Sequence, residues 1–182
     1  MKKLVLFIQG AGQGAHDEDA KMAASLGKEL GPDYDVRCPR MPNEASPDTA
    51  VWERRVAAEV VTMGDGAILV GHSAGAIPLV MALAEGALKH RIAGTFLIAA
   101  PFCGEGGWDL EGFDLPADLS ARLPRGVPMF LYQGSDDEIV PFAHLDLYAK
   151  ALPQAVVRAL DGRNHQLNDD LSDVAADIRR LG

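Results

Sequence analysis

One serine stands in a setting typical of a catalytic nucleophile. Residues 71–75 read Gly-His-Ser-Ala-Gly, between an apolar segment at 67–70 and an amphipathic segment that begins at residue 76. The pattern predicts a sharp strand-to-helix turn, in which small residues at both ends let the two elements approach closely. Ser73 would then project at the carboxyl edge of a sheet, beside the start of a helix, where negative charge is favoured.

A serine hydroxyl becomes nucleophilic when a histidine takes its proton, and a carboxylate must fix the tautomer of that histidine. The chain supplies both residue types after the serine, in the order acid and then histidine: Asp136 and Asp137 follow one predicted strand, and His165 follows the next. The separation of 28 residues between Asp137 and His165 leaves room for one helix and one strand. The two loops would therefore lie side by side, and one of the two aspartates is expected to be only a turn residue.

The remaining histidines fit this role less well. None of His16, His72, His90 and His144 follows both the acid and a strand in the required order. A metal site has little support, because the chain has no His-Glu-x-x-His motif and the run His-Asp-Glu-Asp at 16–19 is typical of a solvated helix start. We expect no metal and no cofactor.

A glycine-rich segment at 10–15, Gly-Ala-Gly-Gln-Gly-Ala, allows two interpretations. It fits a loose dinucleotide-binding pattern between a strand and a helix. It also fits an oxyanion hole, in which one N–H comes from the residue after the nucleophile, Ala74, and the other from a loop after an earlier strand, for which we choose Ala11.

The dinucleotide interpretation is the weaker of the two. Asp17, Glu18 and Asp19 place three carboxylates near the position of a bound pyrophosphate, and like charges repel. The end of the second strand lacks the usual ribose-binding acid, although Arg40 would suit a 2′-phosphate. An NADP-binding protein therefore stays open as an alternative, as does a non-catalytic binding protein on a hydrolase scaffold.

Short apolar runs alternate with longer amphipathic stretches, which predicts an α/β fold: a mostly parallel sheet of about six strands, flanked by helices on both faces, in a single domain over 1–182. Asp17 and Asn168 are the expected N-caps of the first and last helices, and Gly31 is an expected stop. The predicted strands cover 3–9, 34–38, 67–70, 94–99, 129–132 and 155–160, and the predicted helices cover 17–30, 47–63, 76–88, 143–152 and 168–181.

The segment 101–127 carries several glycines and prolines between two predicted strands, and we expect it to form a minimal lid. Phe102 and Trp108 are our candidates for substrate binding there. Aromatic residues in a covering loop can equally seal the core. A lid this short favours a compact, open site over a long lipid tunnel.

The net charge, the cysteines and the first apolar run limit the partners and the compartment that we expect for this protein. The formal net charge of −9 and pI near 4.9 oppose binding to nucleic acid. Cys38 and Cys103 lie far apart, which is typical of small buried thiols in a reducing compartment. The apolar run near the start is too short for a signal peptide, so we expect a cytoplasmic protein that does not bind membranes.

Three segments resemble small serine hydrolases of the α/β-hydrolase superfamily, in particular the retinoblastoma-binding protein 9 family. They are the turn at 71–75, the acid loop Gly-Ser-Asp-Asp-Glu-Ile-Val-Pro at 134–141 and the histidine loop Gly-Arg-Asn-His at 162–165. The likeness extends from the first strand to the last helix, and its acid-loop pattern implies that Asp137 rather than Asp136 is the catalytic acid. Many relatives carry His-Gly after the first strand, where this chain has Gln9-Gly10.

Together the residues and the resemblance predict a serine hydrolase that cleaves a small ester, thioester or activated amide through an acyl-enzyme, with Ser73, Asp137 and His165 as its catalytic triad. The expected partner is a small ester-like molecule, and the expected state is a monomer or a homodimer.

Overall fold

The computed structural model describes residues 2–109 and 113–181. Strands and helices alternate along this part of the chain, and two short 3₁₀ turns, Ser73–Gly75 and Leu167–Asp169, follow β3 and β6. The strands are β1 (Lys3–Ile8), β2 (Tyr34–Arg37), β3 (Ala67–His72), β4 (Ile92–Ile98), β5 (Met129–Gly134) and β6 (Val156–Leu160). The helices are α1 (Ala15–Leu30), α2 (Thr49–Met63), α3 (Ala76–Ala84), α4 (Leu119–Arg122), α5 (Ala143–Ala151) and α6 (Ser172–Arg179).

The six strands form one sheet in the order β2-β1-β3-β4-β5-β6, and every neighbouring pair is parallel. Because parallel strands all end at the same edge, the loops after β1, β3, β5 and β6 meet there. The expected α/β fold is therefore confirmed, and its topology gathers the segments singled out in the sequence.

Alternate residues of the central strands face opposite cores. On β1, Leu6 and Ile8 belong to one buried cluster with Trp52 of α2, while Val5 and Phe7 belong to the other. The first cluster also takes in α3 and α5, and the second takes in α1 and α6. Helices thus cover both faces, which is why the central strands are apolar on both sides rather than alternating.

Two expected helix starts are wrong. Helix α1 begins at Ala15, directly after Gly14 in the left-handed region (φ 82°), so Asp17 lies inside the first turn instead of capping it. Asn168 also has a positive φ, 57°, and lies in the 3₁₀ turn after β6; α6 begins later, with the N–H of Ser172 donating to Asp170 Oδ1. The expected stop at Gly31 is confirmed.

Other boundaries also differ from expectation, among them the ends of α3 and β3. Helix α3 ends at Ala84, short of the expected residue 88, because Gly86 turns the chain with φ 66° and donates its N–H to Leu83. Strand β3 continues to His72 rather than ending at residue 70, so it runs directly into the serine.

Within 101–127, the described residues form the short helix α4 and an isolated bridge between Cys103 and Trp108. Residues 110–112 of the expected lid lie outside the described part of the chain. Across 2–109 and 113–181, every helix is too short or too polar to span a bilayer.

Candidate active site

Ser73 lies at the junction of β3 and α3 in a backbone conformation that side chains rarely adopt. Its φ is 52°, in the left-handed region, which costs a non-glycine residue on the order of 1 kcal/mol. The flanking glycines are required by contact: a Cβ on Gly71 would lie 2.7 Å from Cα of Ala76, and one on Gly75 would overlap the carbonyl oxygen of Gln9. The turn therefore has the tight geometry that the sequence predicts.

His165 and Asp137 form a buried pair at the same edge of the sheet. His165 Nδ1 lies 3.0 Å from Oδ1 and 2.9 Å from Oδ2 of Asp137. The Asp137 side chain is fully buried and that of His165 is 9% exposed. This contact leaves Nε2 as the free ring nitrogen of His165.

The carboxylate of Asp137 is held by further donors. The N–H groups of Ile139 and Val140 donate to Oδ1 at 2.8 and 2.9 Å, and Gln133 Nε2 donates to Oδ2 at 2.6 Å. Burial alone would raise the pKa of Asp137, but the hydrogen bonds from His165 and these N–H groups lower it below its usual range. Asp137 is therefore an anion at neutral pH.

Asp136 has a different environment. Its exposed side chain accepts from Ser135 Oγ at 2.8 Å and, among the described residues, has no hydrogen bond to His165. Geometry thus separates the two neighbouring aspartates, and it places Asp137 against the histidine.

Ser73 and His165 line one cavity of about 230 Å³, together with the loop at 10–15. No hydrogen bond joins the Ser73 hydroxyl to His165 among the described residues. Such bonds are often long in a free enzyme and shorten only when substrate binds. The cavity therefore brings the predicted nucleophile and base to one place, with Asp137 behind the base.

Glu44 holds the loop at 10–15 in shape. Its carboxylate accepts from the N–H groups of Gly14 (3.1 Å) and His16 (3.2 Å), and its main-chain oxygen accepts from Gly12 (2.7 Å). Gln9 Nε2 donates to the same carboxylate at 2.7 Å. Gln9 Oε1 also accepts from the N–H of Met41 at 3.1 Å, so this glutamine secures the turn after β1.

Of the two residues predicted to supply the N–H groups of the oxyanion hole, Ala11 lines the cavity beside Ser73, whereas Ala74 is not among its lining residues. Ala11 is exposed, and within the described residues its N–H has no hydrogen-bond partner, whereas Gly10 and Gly12 on either side both donate. Ala74 lies in the first turn before α3, where N–H groups have no acceptor within the helix.

Sequence reasoning missed the buried pair of Asp19 and His72. Asp19 was expected on a solvated helix start, yet its side chain is 3% exposed and its Oδ2 lies 2.8 Å from His72 Nδ1. The signal that could have revealed it is the spacing to Met22, Ala23 and Leu26, which places residue 19 on the buried stripe of α1.

Phe102 and Trp108 do not line the cavity at Ser73. Both rings pack edge-on against neighbours near the core, Phe102 against Tyr148 and Trp108 against His144. His144 is buried and accepts from the N–H of Phe102 at 2.8 Å. This packing favours the interpretation that these rings seal the core.

The groups that the dinucleotide interpretation requires are already bonded to other residues of the protein. Arg40 pairs with Asp17 (2.6 Å) and Glu44 (3.1 Å), and the N–H groups that a pyrophosphate would need near α1 donate to Glu44.

Burial raises the pKa of Cys38 and Cys103 to about 11, so both are neutral thiols at pH 7. Across the described residues, no group of three or more His, Cys, Asp or Glu is arranged to hold a metal ion.

The six-stranded parallel sheet with helices on both faces has the architecture of the α/β-hydrolase fold. The family model described as serine hydrolase matches residues 23–170, so the chain belongs to the serine hydrolase family. No curated protein is matched by the sequence.

Solved structures share the fold at low sequence identity. A serine hydrolase involved in carbazole degradation, CarC, superposes with a TM-score of 0.75 at 15% identity, over 98% of this chain and 90% of that one. Arabidopsis thaliana SOBER1 gives 0.72 at 14% identity, over 100% and 99% of the two chains. Esterase PE8 gives 0.70 at 19% identity, over 100% and 93%.

Proposed function

We propose that this hydrolase cleaves small esters, thioesters or activated amides through an acyl-enzyme on Ser73. The observation that carries the proposal is that His165, hydrogen-bonded to the buried Asp137, shares one cavity with Ser73. A buried carboxylate behind a histidine, with a serine on its far side, is the arrangement that acyl transfer requires.

The chemical steps follow from the donor and acceptor atoms. Asp137 accepts a hydrogen bond from the N–H at Nδ1 of His165, which leaves Nε2 as the base that removes the hydroxyl proton of Ser73. Ser73 Oγ attacks the carbonyl carbon, and His165 returns the proton to the leaving group. Water then attacks the acyl-enzyme with His165 again as base, which releases the acid and frees Ser73.

The N–H groups of Ala11 and Ala74 would stabilise the negative oxygen of the tetrahedral intermediates. Loss of one such donor typically lowers kcat by about a hundredfold to a thousandfold. Glu44 supports Ala11 indirectly, because it accepts from the N–H groups of Gly12 and Gly14, which follow Ala11 in the loop.

The direct test is labelling with a fluorophosphonate, which reacts with an activated serine. We expect wild-type protein to gain the probe's mass on Ser73 and Ser73→Ala to gain none. Ser120→Ala is the matched control, since Ser120 lies on α4, outside the cavity, hydrogen-bonded to Gln154. Equal labelling of wild type and Ser73→Ala would remove Ser73 from this role.

Cavity size points to a short acyl group. At about 230 Å³ the space beside Ser73 is smaller than the roughly 300–1,000 Å³ typical of sites for drug-sized ligands. We expect p-nitrophenyl acetate and butyrate to give a higher kcat/KM than the octanoate. A preference that rises steadily with chain length would contradict this assignment.

A further inference from the structure

Two ionisable side chains, both buried, line the cavity of the proposed active site. Asp19 on α1 and His72 at the end of β3 are 3% and 2% exposed, and Asp19 Oδ2 lies 2.8 Å from His72 Nδ1. The mechanism described above uses neither of them. Burying ionisable groups is costly unless each is paired and hydrogen-bonded. The contacts of Asp19 and His72 therefore indicate what the pair does.

The contacts of this pair reach three separate segments of the site. The N–H of Gly10 donates to Asp19 Oδ2 at 2.7 Å, which ties the start of the glycine loop. His72 directly precedes Ser73, and its Nε2 lies 3.0 Å from the main-chain oxygen of His165. The glycine loop, the nucleophile turn and the histidine loop are thereby joined through two side chains.

Hydrogen-bond geometry constrains the protons on His72. A carbonyl oxygen only accepts, so Nε2 must carry a hydrogen to bond the oxygen of His165. Nδ1 faces Asp19 Oδ2, an atom that already accepts from the N–H of Gly10, and an ionised oxygen accepts two such donors best. Both ring nitrogens then carry hydrogens, and His72 is an imidazolium.

The groups around the His72 ring also favour the imidazolium. Burial alone would lower the pKa of His72, but the hydrogen bond and charge of Asp19 outweigh it, so the pKa is raised. The His165 carbonyl and the charge of Asp137 act in the same direction. The ring of His165 lies 4.7 Å from that of His72, centroid to centroid, tilted by 53°.

We infer that His72 is a positioning residue, held as an imidazolium by Asp19, and that this ion pair fixes the main chain of His165 and Gly10 relative to Ser73. The inference rests on the proposed function. The pair acts through the residues that it holds, because among the described residues neither side chain has a hydrogen bond to the Ser73 hydroxyl or to a ring nitrogen of His165. A displacement of about 1 Å in such a site can lower the rate about a hundredfold, which sets the scale of the expected effect.

The first measurement is the protonation of His72 in the wild-type protein by long-range ¹H–¹⁵N NMR, assigned through bonds to its own main chain. We expect hydrogens on both ring nitrogens at pH 7, and one bare ring nitrogen in Asp19→Asn. A bare ring nitrogen on His72 in the wild type would overturn the inference. This readout requires no catalytic activity.

The second measurement is steady-state hydrolysis of p-nitrophenyl acetate. We expect Asp19→Asn and His72→Gln to lower kcat by about 10- to 100-fold with little change in KM, because the catalytic groups remain but are misplaced. Asp33→Asn is the matched control, since Asp33 is exposed and lies just before β2, at the opposite edge of the sheet. A folded Asp19→Asn protein with the wild-type kcat would also overturn the inference.

The outcomes separate this inference from the proposed function. If the fluorophosphonate does not label wild-type Ser73, the proposed function fails and the NMR spectrum still decides the state of His72. If the probe labels Ser73 and His72 is neutral, the inference alone fails. If a variant does not fold, the wild-type spectrum decides.

Discussion

The ring of His165 lies against both carboxylate oxygens of Asp137, with Nδ1 at 3.0 and 2.9 Å, although the two residues are 28 positions apart. The register of neighbouring strands brings them together, because Gly134 at the end of β5 pairs with Leu160 at the end of β6. Beyond the strands, the N–H of Asp136 donates to the main-chain oxygen of Arg163, so the two loops stay joined. The backbone therefore sets the position of the acid.

Asp137→Asn should lower kcat by about 10⁴-fold. An amide cannot orient the histidine and stabilise its cation as a carboxylate does, and equivalent changes in serine proteases have about this effect. The measurement is steady-state hydrolysis of p-nitrophenyl acetate, with the melting temperature as a check on folding.

Asp136→Asn is the matched control for this experiment, because the side chain of Asp136 is exposed and bonds only to Ser135 among the described residues. Its kcat should stay within about twofold of wild type. If the effects of the two substitutions were reversed, Asp136 would have to be assigned as the acid.

Glu44→Gln should lower kcat/KM by about tenfold or more while leaving the fold intact. The amide group keeps one acceptor oxygen but loses the charge that receives N–H groups from Gly14 and His16 and the amide of Gln9. Glu29→Gln, an exposed change near the end of α1, should match the wild type. Equal kinetics for both variants would show that the loop holds its shape without Glu44.

Gly75→Ala should destabilise the protein by about 3 kcal/mol or more and abolish activity, because the added Cβ would overlap the main chain of Gln9. For Gly27→Ala we expect the opposite change in the free energy of unfolding. A Cβ at residue 27 would lie 3.7 Å from Val36 Cγ2 on β2, which is an ordinary van der Waals contact. Because residue 27 is inside α1, where alanine is favoured over glycine, the change should stabilise the protein by about 0.5–1 kcal/mol. Urea denaturation of both variants measures this contrast.

Asp177→Asn should destabilise the protein by about 2 kcal/mol at pH 7. The buried carboxylate accepts from Arg158 (2.9 and 3.1 Å) and Tyr132 (2.8 Å), and bonds to charged groups contribute about 1.5–3 kcal/mol. Urea denaturation at a series of pH values measures the difference in unfolding free energy from wild type.

The same difference should depend on pH. The hydrogen bond from Arg158 is the largest influence on Asp177 and, against the effect of burial, it holds the pKa of that carboxyl below its usual range. The stabilisation is therefore complete above the unfolded-state pKa of about 3.9 and is lost as pH falls through the lower folded value. A difference that stayed constant from pH 7 to pH 3 would contradict this account.

The elements that carry a strong hydrophobic pattern could be predicted from sequence. All six strands and the five longer helices are present, with ends shifted by a few residues, and the order of the serine, acid and histidine loops along the chain was enough to place them at one edge. The boundaries were less predictable, since the start of α1 depends on Gly14 adopting φ 82°, a conformation that the sequence permits but does not impose.

Long-range polar contacts could not be read from the sequence. Glu44 lies in an irregular segment with no periodicity, so nothing local shows that its carboxylate reaches Gly14 and His16. The burial of Asp19 had a detectable signal in the stripe of α1, but a run of three acids is usually solvated. Its partner His72 is recognisable only once the end of β3 is known to extend that far.

The left-handed backbone of Ser73 carries a thermodynamic consequence. A residue without a Cβ would adopt φ 52° freely, so replacing the serine by glycine would relieve strain while removing the hydroxyl. If Ser73 is the nucleophile, as proposed, selection for heat resistance alone would therefore favour an inactive protein.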